Sequence, residues 1–258
     1  MNILITNDDG WDAPGLAILR SVAQGFGNVW SVAPLHPMSG ISHQITFERP
    51  LALVQTGYQS FSLDGTPADC TRIGLTQLQV SFDWVLSGIN NGGNLGLDVF
   101  VSGTVAAARE SALLGVPAIA LSQHRCRFKL PYDWTRTSWM AELVLERFLG
   151  VGRSEASSEL HALLNVNFPD KYHTRQDDQI FLNSELVCET DQDAKREFQG
   201  GLKILDCVSD RRPIPTEYRV DQEGRYLYCG KYHERDRSPR GDIESCFGGA
   251  ITVSVLQI

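Results

Sequence analysis

The sequence predicts an α/β protein whose central sheet is mainly parallel. Apolar runs such as residues 3–5, 84–86 and 118–121 show no polar alternation, which is typical of strands buried on both faces of a parallel sheet. Segments with helical periodicity separate these runs, as the βαβ units of such a sheet require. The length of 258 residues fits one large domain or a domain with a smaller appendage.

Composition and charge narrow the class of protein. The net charge of −8 argues against a protein that holds a nucleic-acid polymer through a basic face. No run approaches the ~20 apolar residues of a membrane span, and the N-terminus lacks the features of a signal peptide. The six cysteines have no Cys-x-x-Cys spacing, which favours free thiols in a reducing compartment. We therefore expect a cytoplasmic protein that does not bind membranes.

The first βαβ unit occupies residues 1–34. An apolar strand leads directly into Asp8 and Asp9, a segment with helical periodicity follows, and a second strand ends at Pro34. The loop after that strand contains Ser39, which we expect at the same edge of the sheet as the two aspartates.

The remaining elements follow from the same criteria. Residues 45–63 are rich in β-branched and aromatic residues broken by Pro50 and Gly57, which predicts two short strands at the sheet edge. The other predicted elements are a helix over 68–78 capped by Thr66, a strand over 82–86, a polar loop over 87–96, a helix over 105–114, strands over 118–122 and 163–169 with a helix over 132–149 between them, short strands over 179–182, 201–208 and 226–229, a hairpin turn over 221–224, and a closing strand over 251–255.

Asp8 and Asp9 are two adjacent carboxylates at the end of a buried strand. Two neighbouring negative charges are costly there unless a cation joins them, which favours a divalent-metal site. The alternative is that one aspartate caps the next helix while its neighbour is exposed. This stretch alone leaves both interpretations open.

Three loops after predicted strands bring oxygen-bearing side chains to one edge of the sheet. The first supplies Asp8 and Asp9, the second Ser39, and the third Asn90 and Asn94. Carboxylate, hydroxyl and amide oxygens suit a hard cation such as Mg²⁺, Mn²⁺ or Ca²⁺ better than Zn²⁺. The convergence therefore favours the metal interpretation.

Ser102, Gly103 and Thr104 begin a predicted helix. Small residues at a helix N-terminus allow an anion to reach free backbone N–H groups, so they predict a phosphate site. An ordinary serine or threonine N-cap is the alternative. The first lysine is Lys129, so the region has no P-loop lysine, and no G-x-G-x-x-G motif follows the first strand.

Three further residues are weaker candidates. His43 could act as an acid or base, although loop histidines more often bond to the backbone. Ser39 lacks the G-x-S-x-G context of a hydrolase nucleophile. Asp98 either orients the third loop or is simply solvated.

The motifs together resemble the SurE (stationary-phase survival protein E) family. Their order and spacing hold over about residues 1–125, and residues 164–169 are a weaker match. The motifs are Asn7-Asp8-Asp9-Gly10, Ala33-Pro34 with Ser39, Gly65-Thr66-Pro67-Ala68-Asp69-Cys70, Ser87-Gly88-Ile89-Asn90 with Gly92 and Asn94, and Ser102-Gly103-Thr104-Val105.

The resemblance implies a metal-dependent phosphatase that acts on 5′- or 3′-nucleoside monophosphates, and in some members also on polyphosphate. It implies one Mg²⁺ or Mn²⁺ per subunit. The implied metal ligands are Asp8, Asp9, Ser39 and Asn90, and the implied phosphate ligands are Asn94, Ser102, Gly103 and Thr104.

The same resemblance implies a single Rossmann-like domain with three α/β/α layers. Its α/β core would span residues 1–170, and a hairpin extension with the closing strand would span about 200–258. Family hairpins exchange between subunits, which predicts a homodimer or homotetramer in which residues 218–232 form the hairpin. The family's closing motif has a tyrosine where this chain has Ala250.

The expected reaction is hydrolysis of a phosphate monoester, with Asp8 and Asp9 as catalytic residues. Attack by water and attack by an aspartate are both open, because Asp8 directly follows the first strand. Two rival functions are a nucleotide-sugar-dependent transferase and a non-catalytic nucleotide or metal sensor.

Overall fold

The computed structural model of the protein describes residues 1–125, 134–150, 163–170, 195, 198 and 200–258. The predicted strand over 179–182 and the first two residues of the helix predicted over 132–149 lie outside these ranges.

The elements of the described ranges alternate in the order expected for an α/β protein. The strands are β1 (Asn2–Thr6), β2 (Asn28–Pro34), β3 (Leu53–Gly57), β4 (Ser60–Leu63), β5 (Trp84–Asn91), β6 (Ala118–Gln123), β7 (Leu163–Phe168), β8 (Ile204–Asp206), β9 (Tyr218–Val220), β10 (Tyr226–Tyr228) and β11 (Ile251–Leu256). The α-helices are α1 (Pro14–Ala23), α2 (Pro67–Gln77), α3 (Gly103–Leu113), α4 (Trp134–Leu149) and α5 (Asp242–Phe247), and short 3₁₀ helices span Gly96–Phe100 and Tyr232–Glu234.

Nine of these strands form one sheet in the order β3-β4-β2-β1-β5-β6-β7-β11-β8. The strands from β4 to β7 are all parallel to one another, whereas β3 and β11 pair antiparallel with β4 and β7. The mainly parallel α/β fold predicted from the sequence is therefore confirmed. β1 lies between β2 and β5, so its carboxyl end is flanked by the loops that follow these two strands.

Helices cover both faces of the sheet and produce the three expected layers. On one face, Leu16 and Leu19 of α1 and Val144 of α4 pack with Ile3 and Ile5 of β1. On the other face, α2 and α3 pack against alternate residues of the same strands, for example Val105 against the side that contains Leu4. The parallel strands are thus buried on both faces, which explains their apolar runs.

The end of β5 differs from the sequence prediction. The predicted strand ended at residue 86 and a loop began at 87, but β5 continues to Asn91. Ile89 is fully buried, and Asn90 and Asn91 pair with β6 after a register irregularity. The glycine and asparagine content favoured a loop, whereas pairing with β6 extends the strand.

The C-terminal region contains the predicted hairpin and one unpredicted helix. β9 and β10 pair antiparallel, and the turn over 221–224 has Gly224 at φ +78°. The helix α5 was not predicted, because six residues are too few for a clear helical period. Across the described ranges, none of the helices has the length and hydropathy to cross a membrane.

Candidate metal and phosphate site

A tight turn presents the two aspartates at the carboxyl end of β1. The Asn7 side chain is buried and donates from Nδ2 to the Gly10 carbonyl (2.8 Å), while Gly10 N donates to Asn7 Oδ1 (3.3 Å). Gly10 has φ +110°, which a residue with a side chain rarely adopts. These two residues fix the backbone on either side of Asp8 and Asp9.

Asp8 is the more buried of the two carboxylates, with 6% of the residue exposed. Its Oδ1 accepts a hydrogen bond from the Thr104 hydroxyl at 2.5 Å. Burial raises the pKa of Asp8 to about 6; the Thr104 bond opposes this shift, and the neighbouring Asp9 charge adds to it. A cation at this position would relieve both unfavourable effects.

Asp9 lies beside the end of β5. Its Oδ2 accepts from the Asn91 backbone N–H at 3.2 Å, and partial burial raises its pKa. This contact also brings the preceding residue, Asn90, to the same edge of the sheet. Asn90 donates from Nδ2 to the Gly92 carbonyl (2.9 Å), so its Oδ1 remains as the oxygen that could bind a metal.

The N-terminus of α3 packs directly on Asp8. A Cβ atom on Gly103 would lie 2.9 Å from Asp8 Cβ and 3.0 Å from Asp8 Oδ2, so a glycine is needed for this approach. Ser102 is the N-cap of α3, with its Oγ accepting from Val105 N at 3.1 Å. The Thr104 backbone N–H also interacts with the Asp8 carboxylate, so donors of this first turn lie beside Asp8.

The loop that contains Ser39 is tied to Asp8 through the backbone. Met38 N donates to the Asp8 carbonyl at 2.8 Å, and Ser39 follows as an exposed residue. Farther along the loop, His43 Nε2 lies 2.9 Å from Glu110 Oε2, and Glu110 is 1% exposed. This contact gives His43 a structural role that requires no acid–base chemistry.

Asn94 has a different environment from the other predicted ligands. Its backbone N–H donates to Asn167 Oδ1 and its Nδ2 to Ser122 Oγ, both at 2.8 Å, and its carbonyl accepts from Asn165 Nδ2 at 2.8 Å. These bonds anchor the loop on β6 and β7. The assignment of Asn94 as a phosphate ligand stays a prediction.

The site is an all-oxygen arrangement of mixed residue types. Within the described part of the chain, His, Cys, Asp and Glu side chains form no group of three that could hold a metal. Two carboxylates with a hydroxyl and an amide nearby fit Mg²⁺ or Mn²⁺, which retain several water ligands, better than Zn²⁺. The residues present therefore fit the cation that the sequence predicted.

Sequence reasoning missed several residues that shape this site. The Asn7-x-x-Gly10 spacing is a recognisable turn signal and could have been found. The Asn91 backbone contact could not, because it depends on how far β5 extends. The contacts of Asp98 with Arg235 and of Gly96 with Asp242 join residues more than 130 positions apart, so no local pattern indicates them.

Comparisons with known proteins identify the same family as the motifs. A family model described as survival protein SurE matches residues 3–186. The chain is similar to a solved structure of the SurE protein from Aquifex aeolicus, with a TM-score of 0.75 and 27% identity over 99% of this chain and 93% of that one.

Curated relatives match over most of their length. A protein named 5′-nucleotidase SurE from Paramagnetospirillum magneticum is 38% identical over 99% of this chain and 89% of its own. A protein of the same name from Rhodospirillum rubrum is 38% identical over 98% of this chain and 89% of its own. The family model, these relatives and the shared fold show that the chain belongs to the SurE family.

Proposed function

We propose that the protein is a metal-dependent 5′-nucleotidase that hydrolyses nucleoside monophosphates to nucleoside and phosphate. The observation that carries the proposal is the contact between Asp8 and the N-terminus of α3, where Gly103 packs on the carboxylate and Thr104 donates to it. A cation-binding group and an anion-binding helix end therefore adjoin. The names of the SurE relatives support the same activity.

Asp8, Asp9, Ser39 and Asn90 are the residues that would hold the metal. A bound Mg²⁺ or Mn²⁺ would supply Lewis-acid stabilisation of the phosphoryl oxygens. Thr104 donates to Asp8 Oδ1, which leaves Oδ2, beside Gly103, as the oxygen that would bind the metal.

The first turn of α3 would bind the phosphate. Backbone N–H groups at a helix N-terminus, together with the positive end of the helix dipole, stabilise charge on the phosphoryl oxygens as it develops. Gly103 and Thr104 contribute two of these groups, and Ser102 keeps them in place by capping the helix.

One of the two carboxylates would take the proton from the attacking water. This role rests on their position at the end of β1, because a bound cation would lower the raised pKa values that both carboxylates have without it. Direct attack by an aspartate is the alternative, and trapping of a phosphorylated enzyme would distinguish it.

The main test is phosphate release from a panel of 5′- and 3′-nucleoside monophosphates and from polyphosphate, with Mg²⁺ or Mn²⁺ and after chelation. We expect Asp9→Asn to lower kcat by about 10²- to 10³-fold, since it removes one charge from the metal site. Asp12→Asn is the matched control, because Asp12 is exposed three positions away. Full activity in chelator or in Asp9→Asn would refute the site.

Two rival functions predict different outcomes. A nucleotide-sugar-dependent transferase would use the paired aspartates for the metal of a diphosphate, and it would form a glycosylated product from a sugar nucleotide. A sensor would bind nucleotide or metal tightly without releasing phosphate. Product analysis and binding measured alongside turnover separate the three functions.

We also propose that the protein is a cytoplasmic homodimer or homotetramer. The hairpin β9–β10 presents Tyr218, Val220, Tyr226 and Tyr228 on one face, and each is about half exposed or more. An isolated two-stranded hairpin is marginally stable in water, so a second subunit is a suitable cover for this face. Sedimentation of the wild type and of Tyr218→Ser tests the assembly.

A further inference from the structure

The loop between β5 and α3, residues 92–102, is held by side chains from the C-terminal region. Asp98 lies in the 3₁₀ helix of this loop, and Arg235 binds its two carboxylate oxygens at 3.0 Å. The Tyr232 hydroxyl donates to Asp98 Oδ2 at 2.9 Å, and the Arg235 guanidinium lies over the Tyr232 ring, 4.0 Å from its centroid. The Asp98–Arg235 pair thus joins two segments that are distant in the chain.

This ion pair is almost fully buried. Arg235 is 6% exposed and Asp98 is 9% exposed. Removing two charges from water is costly, and a pair of apolar residues would often stabilise a fold as well or better. The role of this buried bidentate pair is therefore better explained as fixing the position of the loop than as stabilising the fold.

The backbone of Asp98 connects the pair to the predicted phosphate site. Ser102 N donates to the Asp98 carbonyl at 3.1 Å, and the Ser102 side chain caps α3. The first turn of α3 contains Gly103 and Thr104, which contact Asp8. A contiguous series of contacts thus leads from Arg235 through Asp98 and Ser102 to the helix N-terminus.

We propose that Arg235 is a positioning residue for phosphate binding, acting through Asp98 and Ser102 on the first turn of α3. The inference rests on the proposed function, because it assumes that this turn binds phosphate. Of the two aspartates, only Asp8 contacts this turn, through Gly103 and Thr104. Asp9 is held by Asn91 N, and the Asp8 backbone by Met38 N.

The geometry therefore predicts different effects on the binding constant of phosphate and on that of the metal. Loss of the pair should weaken binding of the phosphate group more than binding of the metal, because Asp9 and the Asp8 backbone are held by other segments. If the pair only stabilised the fold, its loss would lower the midpoint of thermal unfolding and the fraction of active enzyme. The KM of the folded enzyme would not change.

The test compares Arg235→Met and Arg235→Lys with wild type. Arg237→Met is the matched control, since Arg237 is two positions away and also has an ionic and a ring contact, to Glu244 and Phe247 on α5. The measurements are kcat, KM for a nucleoside monophosphate, the concentration of Mn²⁺ that gives half activity, and the Kd of inorganic phosphate by calorimetry. All are made at a temperature where circular dichroism shows every variant folded.

For Arg235→Met we expect KM and the phosphate Kd to rise about tenfold, as small displacements of binding groups commonly cause. Arg235→Lys keeps the charge but lacks the planar, bidentate N–H donors of arginine, so its KM and phosphate Kd should lie between those of wild type and Arg235→Met. The half-activating Mn²⁺ concentration should stay within about twofold, and Arg237→Met should match wild type in KM.

A folded Arg235→Met protein with wild-type KM and phosphate Kd would overturn the proposal. Equal increases in Arg237→Met would also overturn it, because they would indicate a general effect of the segment. If Arg235→Met does not fold, Asp98→Asn replaces it and is judged by the same two constants. Failure of the proposed function is recognised separately, as wild-type protein that binds phosphate but releases none from any nucleotide.

Discussion

The N-terminal region, residues 1–125, and the C-terminal region, residues 200–258, contribute to the site in different ways. Every residue proposed as a metal or phosphate ligand lies in the first region, at or just beyond a strand end. The second region contributes none of these, but Arg235 and Asp242 from it bind the loop that connects Asn90 to α3. Chemistry and positioning are thus assigned to different parts of the chain.

The two regions also differ in which of their side chains are buried and which are exposed to solvent. In the N-terminal region Asp8 is buried and Asp9 is partly buried, and this burial raises the pKa values of both carboxyl groups. The C-terminal region contributes Arg235 to a buried ion pair with Asp98 and exposes the aromatic face of its hairpin. A substitution in the first region should therefore affect chemistry most, and one in the hairpin should affect it least.

The largest effect that would test this comparison is expected from Gly103→Ala. The added Cβ would lie 2.9 Å from Asp8 Cβ, so the carboxylate or the helix must move. We expect kcat/KM to fall about 100-fold. Alanine favours a helix more than glycine does, so helix propensity alone would stabilise this variant and would not explain a loss of activity. Gly57→Ala, whose Cβ would lie 3.7 Å from Ser60 Cβ, is the control. Equal activities of the two variants would contradict the close approach of Gly103 to Asp8.

The second prediction concerns the stability of the metal-free protein. The folded-state pKa of Asp8 is about 6 against an ordinary 3.8, so the folded carboxyl keeps a proton that the unfolded chain releases. The contribution of Asp8 to the free energy of unfolding therefore falls as the pH rises from about 3 to about 7, by about 3 kcal/mol in all. The Asp8→Asn variant should not show this fall in the free energy of unfolding, because asparagine does not titrate.

Urea unfolding in chelator at pH 4 and pH 7 measures this effect. The difference in free energy of unfolding between Asp8→Asn and wild type should grow by about 2 kcal/mol from pH 4 to pH 7, in favour of the variant. Excess Mn²⁺ at pH 7 should stabilise wild type more than the variant. A difference that does not change with pH would contradict the burial of this charge.

A smaller effect is expected from Thr104→Val. Valine has the shape of threonine but cannot donate to Asp8 Oδ1, so the carboxylate loses its orientation. We expect kcat/KM to fall about tenfold, and Thr104→Ser, which keeps the hydroxyl, should recover most of it. The two variants are compared by steady-state kinetics at saturating metal, and equal loss in both would show that the hydroxyl is not the relevant group.

The smallest effect on activity is expected from Tyr226→Ser in the hairpin. Tyr226 is 75% exposed and lies outside the proposed site. The kcat/KM per subunit should stay within about twofold, while association of subunits weakens. Kinetics and sedimentation on the same samples check this result. A large loss of activity would show that the hairpin supplies part of the site and would remove the contrast between the two regions.

Sequence patterns predicted the N-terminal region well because its contacts are local to strand ends. A parallel sheet brings the carboxyl ends of neighbouring strands together, so Asp8, Ser39 and Asn90 could be assigned to one edge from strand order alone. Thr66 could be identified as an N-cap by its position before Pro67, and the structure adds a reciprocal bond from Thr66 N to Asp69.

Other features could not be predicted, because they depend on distant contacts. Asn165 and Asn167 alternate with apolar residues in β7, which predicts a half-exposed strand. All six residues of β7 are buried, and both asparagines bind the backbone carbonyl of Asn94. For Asp98, the sequence leaves orientation of the loop and solvation open, whereas the structure shows its carboxylate buried and bound by Arg235.

The position of β11 has a consequence for biosynthesis. β11 lies between β7 and β8 although it follows both in the chain. Ribosomes add about 5–20 residues per second, so the outer edge of β7 lacks this partner for about 4–17 s after Phe168 is made. An unpaired apolar edge invites pairing with another nascent chain. Slow translation beyond β7 should therefore increase aggregation during expression.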